Sequence, residues 1–380
     1  MIDLLKSLIS IPSFSREEAA ACDCLEAWMK AHGLDVHRKG NNVWVEQPGR
    51  GDGRPVVLLN AHLDTVRPAA GYTRDPFTPV VEGDRLYGLG SNDDGGSLVA
   101  LLAAFIELSR QPQPCRFVYS ATAEEEVCGQ GGIESILADI GPFDLGIIGE
   151  PTQMQMAVAE RGLMVLDCTA HGRSGHAARG EGVNALYEAI ADIDWFRTYR
   201  FPLSSDYLGE VKMTVTMIQC GTQHNVVPDR CTYVVDVRPN GMYTNPEILA
   251  EIQAHVRSDV VPRSLRHSSS HIPLAHPVVQ RGLSLGLTPF GSPTTSNQTV
   301  LPAYTTLKIG PGDSARSHTA DEYILLSEIQ QGTDIYVKLL NQLEIKRTAS
   351  PHPSPKGKGS ASGSNQPPLL QEGTGEAFNS

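Results

Sequence analysis

Histidine and acidic residues occur where several apolar, strand-like segments of the chain end. The segments and the residues that follow them are 56–60 with His62 and Asp64, 115–121 with Glu124, Glu125 and Glu126, and 145–149 with Glu150. Two-residue spacing on an extended chain places His62 and Asp64 on the same side. Three consecutive glutamates after an apolar strand are costly to bury unless cations compensate their charge. These residues therefore point to a site that binds cations.

Metal ions would provide that compensation, because few lysine or arginine residues lie nearby in the sequence. Histidine and carboxylate ligands without cysteine suit zinc, with cobalt or manganese as substitutes. Each feature alone has a simpler explanation: a His-x-Asp pair is commonly a hydrogen-bonded pair, and a run of glutamates is commonly a solvated helix start. Their joint occurrence at strand ends favours a metal site, since open α/β sheets gather ligands at the carboxyl ends of their strands.

The elements that must position these residues alternate between strand and helix through the first 150 residues. The predicted strands are 56–60, 115–121 and 145–149, and the predicted helices are 97–110 and 133–140. This alternation predicts an α/β domain with a mostly parallel central sheet. The same pattern resumes after about residue 270, with a strand at 305–309 and a helix from Ala320. Thr319 and Glu322 fit a capping box for that helix.

A smaller α+β domain is predicted to interrupt the α/β domain. Its predicted elements are strands 163–170, 211–217 and 231–238 and helices 183–196 and 246–256. In strand 211–217 the alternation places one set of residues on a single face: Val211, Met213, Val215 and Met217. In helix 183–196 one side carries Val183, Leu186, Ile190 and Ile193. The predicted boundaries are 1–160 and 271–345 for the α/β domain and 161–270 for the inserted domain.

Composition and charge argue against several classes of partner. The 380 residues carry a net charge of −12, which disfavours a general attraction to nucleic acid or anionic lipid. Asp3 and Lys6 interrupt any signal-peptide core, and the apolar stretch 97–108 is too short to span a bilayer. Seven cysteines without paired spacing fit a reducing compartment. We expect a cytoplasmic protein, with residues 346–380 as a disordered tail because they are rich in Pro, Gly and Ser.

The motifs together resemble those of acetylornithine deacetylase and its relatives, including succinyl-diaminopimelate desuccinylase and glutamate-releasing carboxypeptidases. The resemblance covers about residues 1–343 and rests on Ala61-His62-Leu63-Asp64, Gly90-Ser91-Asn92-Asp93, Glu124-Glu125-Glu126, Gly149-Glu150-Pro151-Thr152, Gly175-His176-Ala177-Ala178 and the segment from Gly312 to His318. The chain departs from the family's Asp-Met-Lys-Gly segment, where it has Asp93-Asp94-Gly95-Gly96. Asp93 still aligns with the metal-bridging carboxylate.

The resemblance implies a zinc-peptidase-like catalytic domain with two zinc ions per subunit, for which cobalt can substitute. One zinc takes His62 and Glu150, the other takes Glu126 and His318, and Asp93 bridges them. Asp64 fixes the ring of His62. Glu125 is the general base, which takes a proton from water and delivers it to the leaving amine, whereas Glu124 has no direct role. The peptide bond between Asp93 and Asp94 is expected to be cis.

The inserted domain matches the family's lid, which also forms the dimer contact. His176 corresponds to a histidine that reaches the active site of the partner subunit, and the alternative is a histidine that only makes local hydrogen bonds. Arg161, Asn225 and Arg238 are candidates for holding the substrate carboxylate. For each arginine the alternative is a surface ion pair. The resemblance thus implies a homodimer that acts on a small molecule.

The implied reaction is removal of the N-acetyl group from N2-acetylornithine or N-acetylcitrulline in arginine biosynthesis. Alternatives within the same chemistry are a desuccinylase and a dipeptidase. A metal-binding protein without catalysis would have lost the base or a ligand. Because Glu125 and all five ligand positions are present, the sequence favours an enzyme.

Overall fold

A nine-stranded mixed sheet lies at the centre of the chain in the computed structural model, which describes residues 1–347. In their order across the sheet the strands are β1 (Val36–Lys39), β2 (Asn42–Glu46), β6 (Arg116–Thr122), β3 (Val56–His62), β7 (Leu145–Ile148), β17 (Thr306–Lys308), β8 (Met156–Glu160) and β15 (Ser270–His271), with β16 (Pro289–Ser292) also beside β8. The middle strands β6, β3, β7 and β17 run parallel to one another, whereas β6 pairs antiparallel with β2 and β17 pairs antiparallel with β8. The predicted mostly parallel central sheet is confirmed.

Helices cover both faces of this sheet, which explains why the middle strands are buried along nearly their whole length. They are α1 (Ile2–Ile9), α2 (Ala19–Ala31), α3 (Gly96–Leu108), α4 (Ile133–Ile140), α7 (Pro277–Ser284) and α8 (Leu326–Leu340). One buried cluster includes residues of α1, α2, α3 and α8, and a second includes Ile136 of α4 with Leu58 and Val118 of the sheet. A small antiparallel sheet of β4 (Val80–Glu82), β5 (Arg85–Tyr87) and β18 (Tyr323–Leu325) lies beside them.

A separate antiparallel sheet belongs to the inserted region, which we call the lid. Its strands, in spatial order, are β11 (Lys212–Cys220), β13 (Arg230–Arg238), β9 (Met164–His171) and β14 (Asp259–Pro262). Helices α5 (Ala185–Thr198) and α6 (Asn245–His255) contribute to a core of its own, and β10 (Gly175–His176) pairs with β12 (Val226–Val227). The chain enters the lid after β8 and returns through β15, so the lid interrupts the central sheet. The boundaries 161–270 are our own assignment.

Two details predicted for the lid were wrong. Helix α5 buries Ala185, Ala189, Asp192 and Phe196, whereas Ile190 is 51% exposed and Val183 precedes the helix. Small alanines let the helix approach the sheet closely, and Asp192 can be buried because it accepts hydrogen bonds from Ser258. In β11 the register shifts between Val215 and Met217, and this bulge leaves Met217 55% exposed.

The prediction of a helix from Ala320 was also wrong. Helix α8 begins at Leu326, and the preceding residues form β18, in which Ile324 pairs with Leu86. The Thr319–Glu322 capping box is not formed: the Thr319 hydroxyl donates to the carbonyl of Arg316 at 2.8 Å. Instead, the Leu325 N–H donates to Glu328 at 3.0 Å at the start of α8. Glu322 is therefore free to bind a different part of the chain.

The rest of the chain adds three observations. Among residues 1–347, no helix has both the length and the apolar character needed to cross a membrane. All seven cysteines are free. Residues 348–380, which make up nearly all of the predicted disordered tail, lie outside the described residues.

Candidate metal centre

Three neighbouring parallel strands deliver the predicted site residues to one edge of the central sheet. His62 is the last residue of β3, Glu125 and Glu126 follow β6, and Glu150 comes two residues after the end of β7. Parallel strands end at the same edge, so these side chains converge there. Asp93 lies in the turn that leads into α3, and His318 lies in the loop after β17.

The carboxylate of Asp93 lies between the two histidines. Its Oδ1 atom is 3.1 Å from Nε2 of His62, and its Oδ2 atom is 3.6 Å from Nε2 of His318. His318 Nε2 also lies 3.0 Å from Oε1 of Glu126. Two compact groups of possible ligand atoms result: one consists of His62, Glu125 and Glu126, and the other of Asp93, Glu126 and His318. The peptide bond between Asp93 and Asp94 is cis, as expected from the resemblance.

Asp64 contacts the ring of His62 and also other parts of the site. Nδ1 of His62 lies 2.9 Å from the backbone carbonyl oxygen of Asp64 and 3.5 Å from its Oδ1. The same carboxylate accepts the backbone N–H groups of Glu125 at 3.0 Å and Glu126 at 3.1 Å, and the hydroxyl of Ser15 at 2.6 Å. The buried Asp64 thus connects His62 to the loop that carries both glutamates.

Glu150 lies beside a buried lysine that the sequence reasoning missed. Nζ of Lys308 is 3.9 Å from Glu150 and 3.0 Å from both Glu160 and Thr294. Glu150 belongs to neither compact ligand group, although it lines the same cavity as Asp93 and Glu126. No local pattern in the sequence marks Lys308, because its partners come from other strands and loops.

The electrostatics of the site fit divalent cations. Burial raises the pKa of Glu125 to about 8 and raises the pKa of Glu150 well above its usual range. Burial also opposes ionisation of Asp93, but its hydrogen bond with His62 lowers the pKa of Asp93 overall. Asp93, Glu125, Glu126 and Glu150 line one cavity together with His318, and His62 contacts Asp93 at 3.1 Å. The lysine beside Glu150, Lys308, is already paired with Glu160. Such a donor set needs cations to offset the cost of its burial.

A cavity of about 430 Å³ opens over these residues. Its walls include Arg238 from the end of β13, Leu163, Cys128 and the hydroxyl-bearing Thr294, Thr295 and Ser314. Arg238 is the only lysine or arginine among the lining residues in the described part of the chain. Its guanidinium also makes two hydrogen bonds with Asp236, at 2.7 and 3.0 Å.

The other three predicted residues do not line this cavity. Arg161 is 5% exposed and donates to backbone carbonyls: those of Glu210 at 2.9 Å, Arg238 at 3.2 Å, and Leu208. It therefore supports the lid backbone in this structure. Asn225 is exposed, and its carbonyl accepts the N–H of Ala177. His176 is exposed and accepts the N–H of Ala178 through Nδ1 at 3.2 Å.

The sequence placed Glu322 in a helix capping box, and that role was wrong. Its carboxylate is 2% exposed and accepts three backbone N–H groups, those of Gly90 at 3.0 Å and of Asn92 and Asp93 at 2.9 Å. These belong to the turn that carries Asp93. The only available signal was the position of Glu322 four residues after His318.

Comparison with known proteins identifies relatives of this chain. Residues 58–342 match the model of peptidase family M20/M25/M40. The chain is 30% identical to an acetylornithine deacetylase of Pectobacterium atrosepticum, covering 85% of this chain and 92% of the relative. It is 29% identical to a putative [LysW]-lysine/[LysW]-ornithine hydrolase of Pyrobaculum aerophilum, covering 86% of this chain and 93% of the relative.

A solved structure shows the same fold. The YXEP protein of Bacillus subtilis, described as a dinuclear metal binding peptidase from the M20 family, superposes with a TM-score of 0.67 at 14% identity. The superposition covers 89% of this chain and 96% of the other. At this identity the likeness establishes the fold alone.

Proposed function

The chain belongs to peptidase family M20/M25/M40, and from that premise we propose that it removes the N-acetyl group from N2-acetylornithine or N-acetylcitrulline, with a role in arginine biosynthesis. It is a metallohydrolase that acts on amide bonds. One observation carries the proposal: the two oxygens of Asp93 face His62 and His318, and the half-buried Glu125 lies beside them. This is the arrangement that a bridging carboxylate and an adjacent general base require.

We assign two zinc ions to the residues that surround Asp93. His62 and Glu150 would hold one ion, Glu126 and His318 the other, and Asp93 both. When bound, the ions supply Lewis acidity for amide hydrolysis. Cobalt can substitute because the donor set contains only imidazole and carboxylate groups.

Glu125 is the proton carrier in this proposal. It lies within the ligand group of His62 and Glu126, and Asp64 fixes its backbone through a hydrogen bond of 3.0 Å. Burial raises its pKa to about 8, which suits a group that accepts a proton from the attacking water and passes it to the leaving nitrogen. Asp64 acts through His62 and the glutamate loop, as a positioning residue.

Arg238 is the group we assign to the α-carboxylate of the substrate. It is the single guanidinium on the cavity wall among the described residues, at the end of β13. A succinyl derivative would bring a second carboxylate, for which this wall offers no second arginine or lysine. The wall therefore favours an uncharged acyl group such as acetyl over succinyl.

The names of the relatives support an ornithine-type amino acid. Both the acetylornithine deacetylase and the [LysW]-lysine/[LysW]-ornithine hydrolase refer to ornithine in their names. The two differ in the group attached to the amino acid. The names therefore support hydrolysis at an amino group of ornithine or a close analogue more strongly than they support a particular acyl group.

We further propose a homodimer that forms through the lid. Apolar side chains are exposed on α5 and on the edge strand β11, including Tyr187 at 68%, Ile190 at 51% and Ile218 at 48%. An exposed apolar patch beside a free strand edge is a common contact surface for a second copy. In this arrangement His176, which does not reach its own cavity, would act in the cavity of the partner subunit.

A substrate panel tests the proposed reaction. The zinc-loaded protein would be assayed with acetyl and succinyl derivatives of ornithine, citrulline and diaminopimelate, and with a dipeptide. We expect the highest kcat/KM for acetylornithine or acetylcitrulline. A higher kcat/KM for a succinyl derivative or for the dipeptide would replace our assignment by one of those activities, and no hydrolysis of any amide would overturn it.

A further inference from the structure

The side chain of Glu322 ties together the two loops that carry Asp93 and His318. Glu322 lies four residues after His318, and its carboxylate is almost completely buried. Oε1 accepts the N–H groups of Asn92 and Asp93 at 2.9 Å, and Oε2 accepts the N–H of Gly90 at 3.0 Å. One carboxylate thus satisfies three backbone donors of the turn that contains Asp93.

A second set of hydrogen bonds joins the same two loops on the other side of His318. The side-chain Nδ2 of Asn92 donates to the carbonyl of Asp313 at 3.1 Å and to the Ser317 hydroxyl at 3.2 Å. The N–H of Asp313 donates in return to the amide oxygen of Asn92 at 3.0 Å. His318 therefore lies between two points at which its loop is fixed to the Asp93 turn.

We propose that Glu322 is a positioning residue that holds Asp93 and His318 in register before the metal ions bind. This inference rests on the proposed metal-dependent function and adds a residue to it. Glu322 does not belong to either group of possible ligands, so it acts through the backbone of Asp93. A site whose ligands are already ordered loses less conformational entropy when it binds the ions.

Only a carboxylate suits this position. When ionised, a carboxylate offers two acceptor oxygens and no donor, so it can receive all three N–H groups. A glutamine would turn an NH₂ group toward at least one of these donors and leave that donor unsatisfied in a buried place. The Asp93 turn would then have to move, and the bridging position would move with it.

The adjacent residue, Asp321, provides a matched control. It also accepts backbone N–H groups, those of Thr73 at 2.9 Å and Arg74 at 3.2 Å. The loop that it binds carries no proposed ligand. A general loss of loop anchoring should therefore affect Asp321→Asn and Glu322→Gln alike, whereas a role in the metal site should affect only Glu322→Gln.

The experiment compares wild type, Glu322→Gln and Asp321→Asn as full-length, metal-free proteins. Each is titrated with Zn²⁺ in competition with a chromophoric chelator, and the Tm of each metal-free protein is measured. We expect Glu322→Gln to weaken zinc binding by about 10- to 100-fold, the usual effect of a residue that orients ligands. Asp321→Asn should bind zinc like wild type, and excess zinc should restore much of kcat to Glu322→Gln.

Several outcomes decide against the proposal. Wild-type zinc affinity in Glu322→Gln would overturn it, as would equal losses of affinity in both variants. If Glu322→Gln does not fold, Glu322→Asp, which keeps both acceptors on a shorter chain, must show weakened zinc binding, and unchanged binding would overturn the inference. Failure of the wild-type protein to bind zinc would instead contradict the proposed function itself.

Discussion

The Nε2 atom of His62 lies 3.1 Å from Oδ1 of Asp93, while the other oxygen of that carboxylate faces His318 at 3.6 Å. Asp93 is thus placed to contact an ion held by His62 and an ion held by His318, the two halves of the site. His62, by contrast, faces only one half. The two residues should therefore differ in how many metal ions depend on them.

Replacing Asp93 by Asn should weaken the binding of both metal ions. An amide carries no charge and is a poorer bridging ligand, so we expect a loss of more than about 100-fold for each ion, beyond the effect of a ligand-orienting residue. His62→Ala should release only one ion. Metal-to-protein ratios after dialysis against a series of buffered zinc concentrations would measure both effects. An Asp93→Asn protein that keeps one ion at wild-type affinity would contradict a bridging role.

Metal binding should release protons and should strengthen as pH rises. Burial raises the pKa of Glu125 to about 8 and that of Glu150 well above its usual value. In the metal-free protein these carboxyl groups are therefore protonated at pH values where exposed glutamates are ionised. A metal ion favours their ionised form, so they give up protons as it binds. Apparent affinity should thus increase between about pH 6 and pH 8.

Calorimetry measures this proton release directly. Zinc is titrated into the metal-free protein at one pH in buffers of different ionisation enthalpy, and the dependence of the heat on the buffer gives the number of protons released. Glu125→Gln should release fewer protons than wild type. A heat that does not depend on the buffer would rule out this linkage.

The sequence was informative about the metal centre because most of its residues lie at the ends of strands or shortly after them. His62, Glu125, Glu126 and Glu150 sit at the ends of apolar runs, and parallel strands bring such ends together. The apolar runs of β3, β6 and β7 are themselves easy to identify, since strands buried on both faces lack an alternating pattern. The convergence of the site could thus be predicted without knowledge of distances.

The supporting residues could not be predicted in the same way. Glu322 and Lys308 act on backbone groups and side chains that are distant in sequence, so no local spacing identifies them. For Glu322 the local pattern was misleading, because a capping box and a buried carboxylate require the same residue type. The buried face of α5 was missed for a related reason: Asp192 is buried there by hydrogen bonds from Ser258, which lies far along the chain.

Glu125 and Glu126 should separate into a base and a ligand when each is changed to Gln. Glu126 lies 3.0 Å from His318 and belongs to both compact ligand groups, whereas Glu125 belongs to one. We expect Glu125→Gln to keep both metal ions and to lower kcat by about 100-fold or more, as loss of a general base does. Glu126→Gln should lose metal as well as activity. Elemental analysis alongside kcat distinguishes these outcomes, and equal metal loss in both variants would show that the two roles are wrongly assigned.

The last prediction concerns the dimer, and it depends on where His176 lies. His176 is exposed on the lid and does not line the cavity of its own chain. Its Nδ1 accepts the N–H of Ala178, and in the alternative His176 makes only such local hydrogen bonds and has no part in catalysis. Exposed apolar residues on the same domain, such as Tyr187 and Met217, offer a surface for a second copy. If that copy docks there, His176 could enter the partner's cavity and donate a hydrogen bond to the developing oxyanion.

Mixing two inactive proteins tests this directly. His176→Ala lacks the proposed donor and Glu125→Ala lacks the proposed base, so each homodimer should be inactive. Random subunit exchange makes about half of the dimers mixed, and each mixed dimer has one intact site of two, so about a quarter of wild-type activity should reappear. Exchange is followed with differently tagged chains, and mixing His176→Ala with the double variant Glu125→Ala/His176→Ala, a mixture that contains no His176 and so rebuilds no intact site, controls for nonspecific stabilisation by added protein. If the first mixture stays inactive although tagged mixed dimers are recovered, His176 does not act across an interface, because the intact pair of Glu125 and His176 is then present without producing turnover.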